Sequence, residues 1–357
     1  MNVFRILRVK SREEFLLKPS KTMMKAIVGI DVSSREFHVC FVLKQDEGKE
    51  KIVATRTFKN TERGAAEMLK WLEKRNKQQL PIAFIMEATG CYYENLAYFL
   101  YENDQKVGVV LANKMKNYFK SLNIKTKTDK VDAKVIARFG IERDVEQWEP
   151  LSDNFKSIRD LCREILAQKK ELQRAKNQRH AIQYSHKKAQ LIKDLKDRQI
   201  LQCEEAIDIL REEVKSLVDN DPELKSKIEK LQTIPGVGFE TAILLISETN
   251  GFKMFNSIRQ VVSYAGLDVS HNESGNFKGK SKISKKGNNR IRKILYMPAL
   301  SAANSNKSIK SLYERICEKN PNIKKKGVVA SMRKLLVLSY VVWKKDTTFD
   351  ENYQWAA

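Results

Sequence analysis

The sequence predicts an α/β domain, a long α-helical coiled-coil segment and a mostly α-helical C-terminal domain. Three strand-like segments followed by alternating helix and strand patterns predict the first, and a stretch without glycine at 154–230 predicts the second. After that stretch, short helical patterns surround a basic loop that contains glycine. The predicted domains are 24–150, 151–230 and 231–357, preceded by an N-terminal extension at 1–23 that has no periodic apolar face.

The first domain is predicted to be a mixed β-sheet covered by helices. The segments KAIVGIDV, EFHVCFVL and KIVATRTF lie close enough along the chain to form a meander. They are followed by the helical pattern AAEMLKWLEKR, the apolar strand PIAFIMEATG, the helix YYENLAYFLYEN and the short strand KVGVVLA. Strands that alternate with helices usually run parallel, so we expect the later strands to extend the meander into a mixed sheet.

The helical segment carries an apolar stripe with coiled-coil spacing. Its apolar residues alternate by three and four positions, at 200, 203, 207, 210, 214 and 217. We expect two long antiparallel helices with a break between about 184 and 190. The alternative is a pair of ordinary helices that pack on their neighbours in the same chain.

The charge of the chain is concentrated near its C-terminus. The 357 residues carry 67 Lys and Arg against 44 Asp and Glu, a net charge of +23. Residues 278–345 contain 19 Lys and Arg but only two acids, Glu314 and Glu318. Gly, Ser and Asn lie between these cations and offer backbone donors to phosphates. This favours a polyanion partner over a membrane surface, because no helix with a bulky apolar face accompanies the charge.

Several other classes of protein are disfavoured. No run of about 18 apolar residues exists, so no membrane span is predicted. The N-terminus lacks the apolar core and cleavage site of a secretory signal. The five cysteines are widely separated and form no CxxC pair, which favours a reducing interior and disfavours a disulfide framework or a structural zinc site. We therefore expect a cytoplasmic protein.

Four acidic residues form the first candidate site. Asp31 closes the first strand and Glu87 closes the fourth, while Asp129 and Asp132 lie three apart at the start of a helix. If the first and fourth strands are neighbours, these carboxylates converge. Four carboxylates in one small site repel each other, and two Mg²⁺ ions would compensate the charge and supply phosphodiester chemistry. Individually, each acid could instead be a turn residue, a surface acid or a partner of the helix dipole, with Thr128 as the helix cap.

A second candidate site lies around a glycine turn and a serine-rich loop. In IPGVG, Gly236 and Gly238 form a turn whose backbone amides either contact DNA phosphates or serve structure alone. The loop from Ser270 to Asn289, which we call the serine loop, offers four hydroxyls, and composition alone does not choose among them. They are Ser270, Ser274, Ser281 and Ser284. The histidines at 38, 180 and 186 show no metal-ligand spacing and receive no role.

Both halves of the chain resemble one family. GIDVSSREFHVCF, MEATGCYYENLAYFL and KTKTDKVDAKVIARF are similar to the RuvC-like, DEDD-type domain of the IS110 insertion-sequence transposases. LQTIPGVGFETAILLISE and the segment from FNSIRQVVSYAGLDVSHNESGNFKG to KSKISKKGNNRIRKILYMPAL resemble the C-terminal domain of that family. The resemblance extends from Met24 to the final helix and implies a ribonuclease-H-like fold for the first domain.

The resemblance also assigns roles to residues. Asp31, Glu87, Asp129 and Asp132 take the acidic positions of the family, and Ser274 matches its nucleophilic serine. Cations in and after the serine loop would then neutralise phosphates near the DNA break: Lys278, Lys280, Lys285, Lys286, Arg290 and Arg292.

The function implied is DNA recombination by an insertion-sequence transposase. Such an enzyme cuts and rejoins DNA through a circular intermediate, with Mg²⁺, a structured guide RNA and a homo-oligomer that shares active centres. It would act in a prokaryotic cytoplasm, associated with the nucleoid. The first alternative is a metal-dependent junction-resolving nuclease, which needs the four acids but not Ser274. The second is a non-enzymatic packaging protein that uses only the basic loop and the glycine turn.

Overall fold

The computed structural model describes residues 25–44, 50–124, 128–187, 189–270, 273–274, 277–279 and 281–351. The chain forms two compact units, Met1–Pro150 and Leu151–Ala357. The N-terminal extension predicted at 1–23 lies outside the described residues.

The first unit combines five strands with four helices among its described residues. In chain order they are β1 (Lys25–Val32), β2 (Glu36–Lys44), β3 (Glu50–Lys59), α1 (Glu62–Glu73), β4 (Ile82–Glu87), α2 (Glu94–Glu102), β5 (Lys106–Val110), α3 (Ala112–Ser121) and α4 (Asp129–Glu142).

These strands form one mixed sheet in the order β3-β2-β1-β4-β5. Strands β1, β2 and β3 pair antiparallel, as the predicted meander requires, while β4 pairs parallel with both β1 and β5. On one face, Val28 and Ile30 pack with residues of α1 and α2. On the other face, Ile27 and Ile85 pack with residues of α3 and α4. The observed topology confirms the predicted mixed sheet and fits a ribonuclease-H-like α/β domain.

The second unit is mostly helical. Its elements are α5 (Asp153–Gln183), α6 (Gln190–Asp219), α7 (Pro222–Gln232), α8 (Phe239–Thr249), α9 (Ile258–Tyr264), β6 (Val269–Ser270), β7 (Glu273–Ser274), β8 (Phe277–Lys278), β9 (Lys282–Ile283), α10 (Asn289–Ser305), α11 (Lys307–Glu318) and α12 (Lys325–Lys345).

Helices α5 and α6 form the long antiparallel hairpin that the sequence predicts. Two ion pairs link the helices: Lys176 Nζ lies 2.8 Å from Glu204 Oε1, and Arg179 Nε lies 2.7 Å from Asp197 Oδ1. The residue later in α5 pairs with the residue earlier in α6, so the two helices run in opposite directions. Within the apolar stripe of α6, Ile207 and Val214 are buried in a core that also contains residues of α8, α10 and α12. The stripe therefore packs within its own unit, and a coiled coil with another chain stays a prediction.

Helix α12 completes this core. Leu335 and Leu336 are fully buried in it, as expected for a final apolar helix that packs on the C-terminal domain. Among the described residues, no helix is both long enough and apolar enough to cross a membrane.

Candidate active site

Asp31 and Glu87 lie at the same edge of the sheet. Strands β1 and β4 are parallel neighbours, and Ile30 is level with Met86 in their register. Asp31 directly follows Ile30, and Glu87 directly follows Met86. Side chains alternate between the faces of a strand, so both acids share the face of Ile27 and Ile85, the face covered by α4. The predicted neighbourhood of the first and fourth strands is thus observed.

Helix α4 brings the other two acids to that edge. A Cβ added at Gly29 would clash with the backbone of Ala133 and Ala137, and one added at Gly140 would lie 3.0 Å from Ile27 Cγ2. The helix therefore runs antiparallel to β1, with its N-terminus at the Asp31 end. Its first turn contains Asp129 and Asp132, which places all four predicted acids at one edge.

The start of α4 is fixed by the predicted cap. Thr128 is extended, and its Oγ1 accepts a hydrogen bond from the backbone N–H of Val131 at 3.4 Å. Asp129 is largely exposed, at 67%, whereas one carboxylate oxygen of Asp132, Oδ1, is buried. The helix thus presents one acid to solvent and turns the other inward.

A histidine that the sequence analysis passed over joins this edge. His38 on β2 is the cross-strand partner of Asp31, and its Nδ1 lies 3.8 Å from Asp129 Oδ2. Its side chain is only 14% exposed. The missed signal is the meander itself, because a tight turn between the first two strands places position 38 opposite position 31.

The donor set of this edge suits a hard divalent cation. Carboxylate oxygens are the ligands that Mg²⁺ prefers, and the backbone of β1, β4 and α4 directs four of them to one edge. In the part of the chain that the structure describes, no three Asp, Glu, His or Cys side chains are yet close enough to hold a metal ion. The backbone therefore fits such a site in kind, while the side chains would have to turn toward the ion to ligate it.

The predicted nucleophile lies in the second unit. Ser274 is exposed at the end of β7, which pairs antiparallel with β8 in a short hairpin. Strands β6 and β9, which flank this hairpin along the chain, form a second short antiparallel ladder. Ser270 is exposed as well, but Ser284 is engaged, because its Oγ donates to Asp268 Oδ1 at 2.5 Å. The hydroxyls of this loop are therefore not equivalent.

The cations predicted to contact nucleic acid have different surroundings. Lys285 and Lys286 are exposed. Lys278 lies on β8, whose backbone alone is described, and Lys280 lies outside the described residues. Arg290 Nε lies 3.8 Å from Glu248 Oε1.

Arg292 has partners within the protein. Its Nη1 donates to Ala265 O at 2.7 Å and to Gly287 O and Asn288 O at 3.3 Å, and burial lowers its pKa. These bonds fix the loop to α10, so Arg292 has a structural task whether or not it meets a phosphate.

The two glycines of the IPGVG turn also differ. Gly236 has φ of +97°, and a Cβ there would lie 2.7 Å from Ala302 Cβ and 2.9 Å from Pro298 O, so close packing on α10 explains this glycine. Gly238 precedes α8 as its N-cap, and a Cβ there would meet no atom within 4 Å. Only Gly238 has open space in front of it that a phosphate could enter.

Comparison with known proteins gives matches over most of the chain. Residues 28–183 match the DEDD transposase family of IS110, and residues 228–314 match the transposase IS116/IS110/IS902 family. The pilin gene-inverting protein of Moraxella bovis is 30% identical over 331 residues, which are 92% of this chain and 99% of that protein. The transposase for insertion sequence element IS1111A of Coxiella burnetii is 31% identical over 97 residues, 27% of this chain and 26% of that protein.

Among solved structures, RuvC of Thermus thermophilus matches 35% of this chain and 100% of its own, with 13% identity and a TM-score of 0.27. The Holliday junction resolvase of fowlpox virus matches 33% of this chain and 96% of its own, with 17% identity and a TM-score of 0.24. The two family matches fall on the acidic edge and on the serine loop, and the Moraxella relative spans nearly the whole chain. This chain therefore belongs to the IS110 family of transposases, enzymes of DNA recombination.

Proposed function

We propose that this transposase cuts and rejoins DNA through Ser274, with Mg²⁺ ions held by Asp31, Glu87, Asp129 and Asp132. The observation that carries the proposal is the meeting of β1, β4 and the N-terminus of α4 at one edge of the sheet. Four surface or capping acids need not lie together, and like charges repel, so their presence at one edge favours a shared cationic ligand.

The chemistry of the serine balances without a nucleotide cofactor. The Ser274 Oγ gives up its proton and forms a bond to the phosphorus, while the oxygen of one DNA strand leaves and takes up a proton. The new phosphoserine diester keeps the energy of the broken bond. A hydroxyl of another strand then attacks the phosphorus and releases the serine, which joins the strands in a new combination.

The acidic edge would support that exchange. Mg²⁺ held by these four carboxylates would supply the charge stabilisation that a phosphodiester displacement requires. His38 Nδ1 lies 3.8 Å from Asp129 Oδ2 and would therefore lie beside an ion that this carboxylate holds.

The partners follow from charge and from the family. Lys285 and Lys286 are exposed in the serine loop and would hold phosphates without reading bases. We propose that a structured guide RNA supplies the sequence recognition and that the enzyme works as a homo-oligomer. The Moraxella relatives are named for the inversion of a gene, and cutting followed by rejoining would serve inversion as well as transposition.

The test is a covalent protein–DNA adduct on a denaturing gel, with end-labelled DNA and Mg²⁺. Ser274→Ala should abolish the adduct and strand exchange. Its stability should change by less than about 0.5 kcal/mol, because the residue is exposed. Ser270→Ala is the matched control, since Ser270 is also exposed on a short strand of the same loop, and it should retain the adduct.

A second arm tests the acids. Asp129→Asn should lower cleavage by about 100-fold or more while nucleic-acid binding persists, since the substitution removes a metal ligand but no positive charge.

An adduct that survives in Ser274→Ala would place the nucleophile elsewhere. Cleavage without an adduct in any variant would identify a junction-resolving nuclease instead.

A further inference from the structure

The serine loop rests on a buried carboxylate that the sequence analysis did not single out. Glu248 near the end of α8 has a side chain only 1% exposed. Arg163 of α5 grips it with two bonds, from Nε to Oε1 at 2.7 Å and from Nη2 to Oε2 at 3.0 Å. Asn288 Nδ2 donates to Oε2 at 2.6 Å. One carboxylate thus joins α5 and α8 to the residue where the serine loop ends.

Asn288 also hydrogen-bonds to the two helices that flank the serine loop, α9 and α10. Its Oδ1 caps α10 by accepting from the N–H groups of Arg290 at 2.9 Å and Ile291 at 3.4 Å. Its own N–H donates to Tyr264 O at the end of α9 at 2.6 Å, and the Tyr264 hydroxyl donates to Glu248 O at 3.1 Å. The two chain ends that lead into the loop are therefore tied to the same glutamate.

The two segments of chain that flank the short strands β6 and β9 are also hydrogen-bonded to each other. Ser284 donates from its backbone N–H to Asp268 O at 2.9 Å and from its Oγ to Asp268 Oδ1. Lys285 N–H donates to Gly266 O at 3.1 Å, and Arg292 bridges Ala265 and Gly287. We call residues 264–268 and 284–288 the loop base. These bonds hold the loop base, and Ser274 lies in the chain between its two segments.

Net stability is a weak reason for this arrangement. Burial raises the pKa of Glu248, but the bonds and charge of Arg163 outweigh it and leave the pKa below its usual value, so the group stays ionised. A buried ion pair often contributes no more than a well-packed apolar pair would, because desolvation offsets the attraction. Unlike an apolar residue, the carboxylate accepts directional hydrogen bonds, and these fix the positions of Arg163 and Asn288.

We propose that Glu248 is a positioning residue, which fixes the loop base through Asn288 so that Ser274 is presented in one place. The inference deepens the function proposed above and rests on it, because it assigns a task to Glu248 in the reaction of Ser274. The reason for so firm a base is geometric: a nucleophile displaced by about 1 Å can lose about 100-fold in rate.

The experiment compares Glu248→Gln with a matched variant on the same helix. Glu240→Gln also removes a carboxylate of α8 that pairs with cations of the α5–α6 hairpin, Lys169 and Arg211. Both of these cations lie on the α5–α6 hairpin and not in the loop base, so Glu240→Gln reports the cost of losing an α8 ion pair alone. With the full chain and Mg²⁺, Glu248→Gln should form the Ser274 adduct about 100-fold more slowly, whereas Glu240→Gln stays near the parent rate.

Two further readouts separate positioning from folding. Nucleic-acid affinity should change by no more than about twofold in Glu248→Gln, because the phosphate contacts come from surface cations. Trypsin should cut faster at the lysines of the loop, at 278, 280 and 282, while the rest of the chain resists as in the parent protein. A general loss of structure would instead speed cleavage everywhere.

A second variant covers the case in which Glu248→Gln does not fold. Asn288→Ser keeps a capping side chain for α10 but is too short to reach Glu248, and it leaves the pair with Arg163 intact. It should slow adduct formation and loosen the loop in the same way. Equal adduct rates and equal loop proteolysis in Asn288→Ser, Glu240→Gln and the parent protein would overturn the inference.

Failure of the proposed function gives a different result. If the parent protein forms no adduct, or Ser274→Ala still forms one, the serine proposal is wrong. Loop proteolysis then decides alone whether Glu248 holds the loop base, because that measurement needs no reaction.

Discussion

At Glu248, burial and ion pairing act on one carboxylate in opposite directions. Removal from water penalises the charged form, while Arg163, Asn288 and Arg290 favour it and leave the pKa below its ordinary value of 4.5. Asp129 is the contrasting case, since most of its side chain faces solvent at the edge of the sheet. The first carboxylate organises the protein, and the second is accessible to a ligand.

The pKa of Glu248 predicts a pH dependence of stability. A carboxylate with a lowered pKa in the folded state stabilises the protein above its unfolded pKa, near pH 4.5, and that contribution is lost as pH falls through the folded pKa. Glutamine does not titrate. The unfolding temperature of Glu248→Gln should therefore lie below that of the parent protein at pH 7, and the two should converge as the pH falls below 4.5. Scanning calorimetry measures this, and a constant gap down to pH 3 would contradict it.

Sequence alone predicted the residues of the acidic edge but not those beneath the serine loop. Asp31 and Glu87 close apolar strands and Thr128 marks a helix start, so local pattern nominates these acids, and the family resemblance assigns their positions. Glu248 stands in the helical run ILLISET, and its partner Arg163 is 85 residues away, so no local pattern marks the pair. Arg292 looked like any other cation of a basic stretch, because composition does not show that its guanidinium is bonded to backbone carbonyls.

At the scale of elements, the contact between β1 and α4 sets the geometry of the acidic edge. Gly29 lies on the same face as Asp31, and the helix backbone at Ala133 and Ala137 lies where a Cβ of residue 29 would be. The absence of that single carbon lets the helix approach the strand closely. The spacing between Asp31 and the first turn of α4 depends on that approach.

Gly29→Ala should therefore destabilise the first unit and disturb its acidic edge. The new Cβ would clash with helix backbone, which cannot swing away as a side-chain tip could, so we expect a loss of about 3 kcal/mol or more. Gly238→Ala is the control, since its Cβ would meet no atom within 4 Å, and it should cost about 1 kcal/mol or less. Calorimetry gives both values. Equal unfolding temperatures would show that α4 can move away from β1 at little cost.

At the scale of the whole molecule, two surface properties bear on self-association. A net charge of +23 makes copies of the chain repel each other until a polyanion or salt screens the charge. Against this, helix α6 exposes large apolar side chains that a solitary chain would leave in water: Leu191, Ile192, Leu195, Leu201 and Ile209. Burial of such side chains between copies is favourable, so we expect the proposed homo-oligomer to use α6 and to strengthen with screening.

A test of the α6 interface requires a residue whose substitution affects assembly but not folding. Leu210 belongs to the apolar stripe predicted from sequence, but it packs on the core of its own unit, so a charge there would disturb folding as well as assembly. Leu195 is 53% exposed, and a charge at that position leaves the core intact. Ile323, outside α6, is 52% exposed and provides an apolar residue of matched exposure for comparison.

Leu195→Glu should weaken self-association without unfolding the protein. An unpaired carboxylate buried at an interface costs several kcal/mol, about 3 or more, whereas the same carboxylate in water costs almost nothing. Sedimentation velocity at high salt, where screening removes the general repulsion, should show smaller species for Leu195→Glu over a range of concentrations. Ile323→Glu should sediment as the parent protein does, and both variants should keep the parent unfolding temperature within a few degrees. If Leu195→Glu sediments like the parent, the exposed residues of α6 do not form the interface, and the homo-oligomer must be held by another surface.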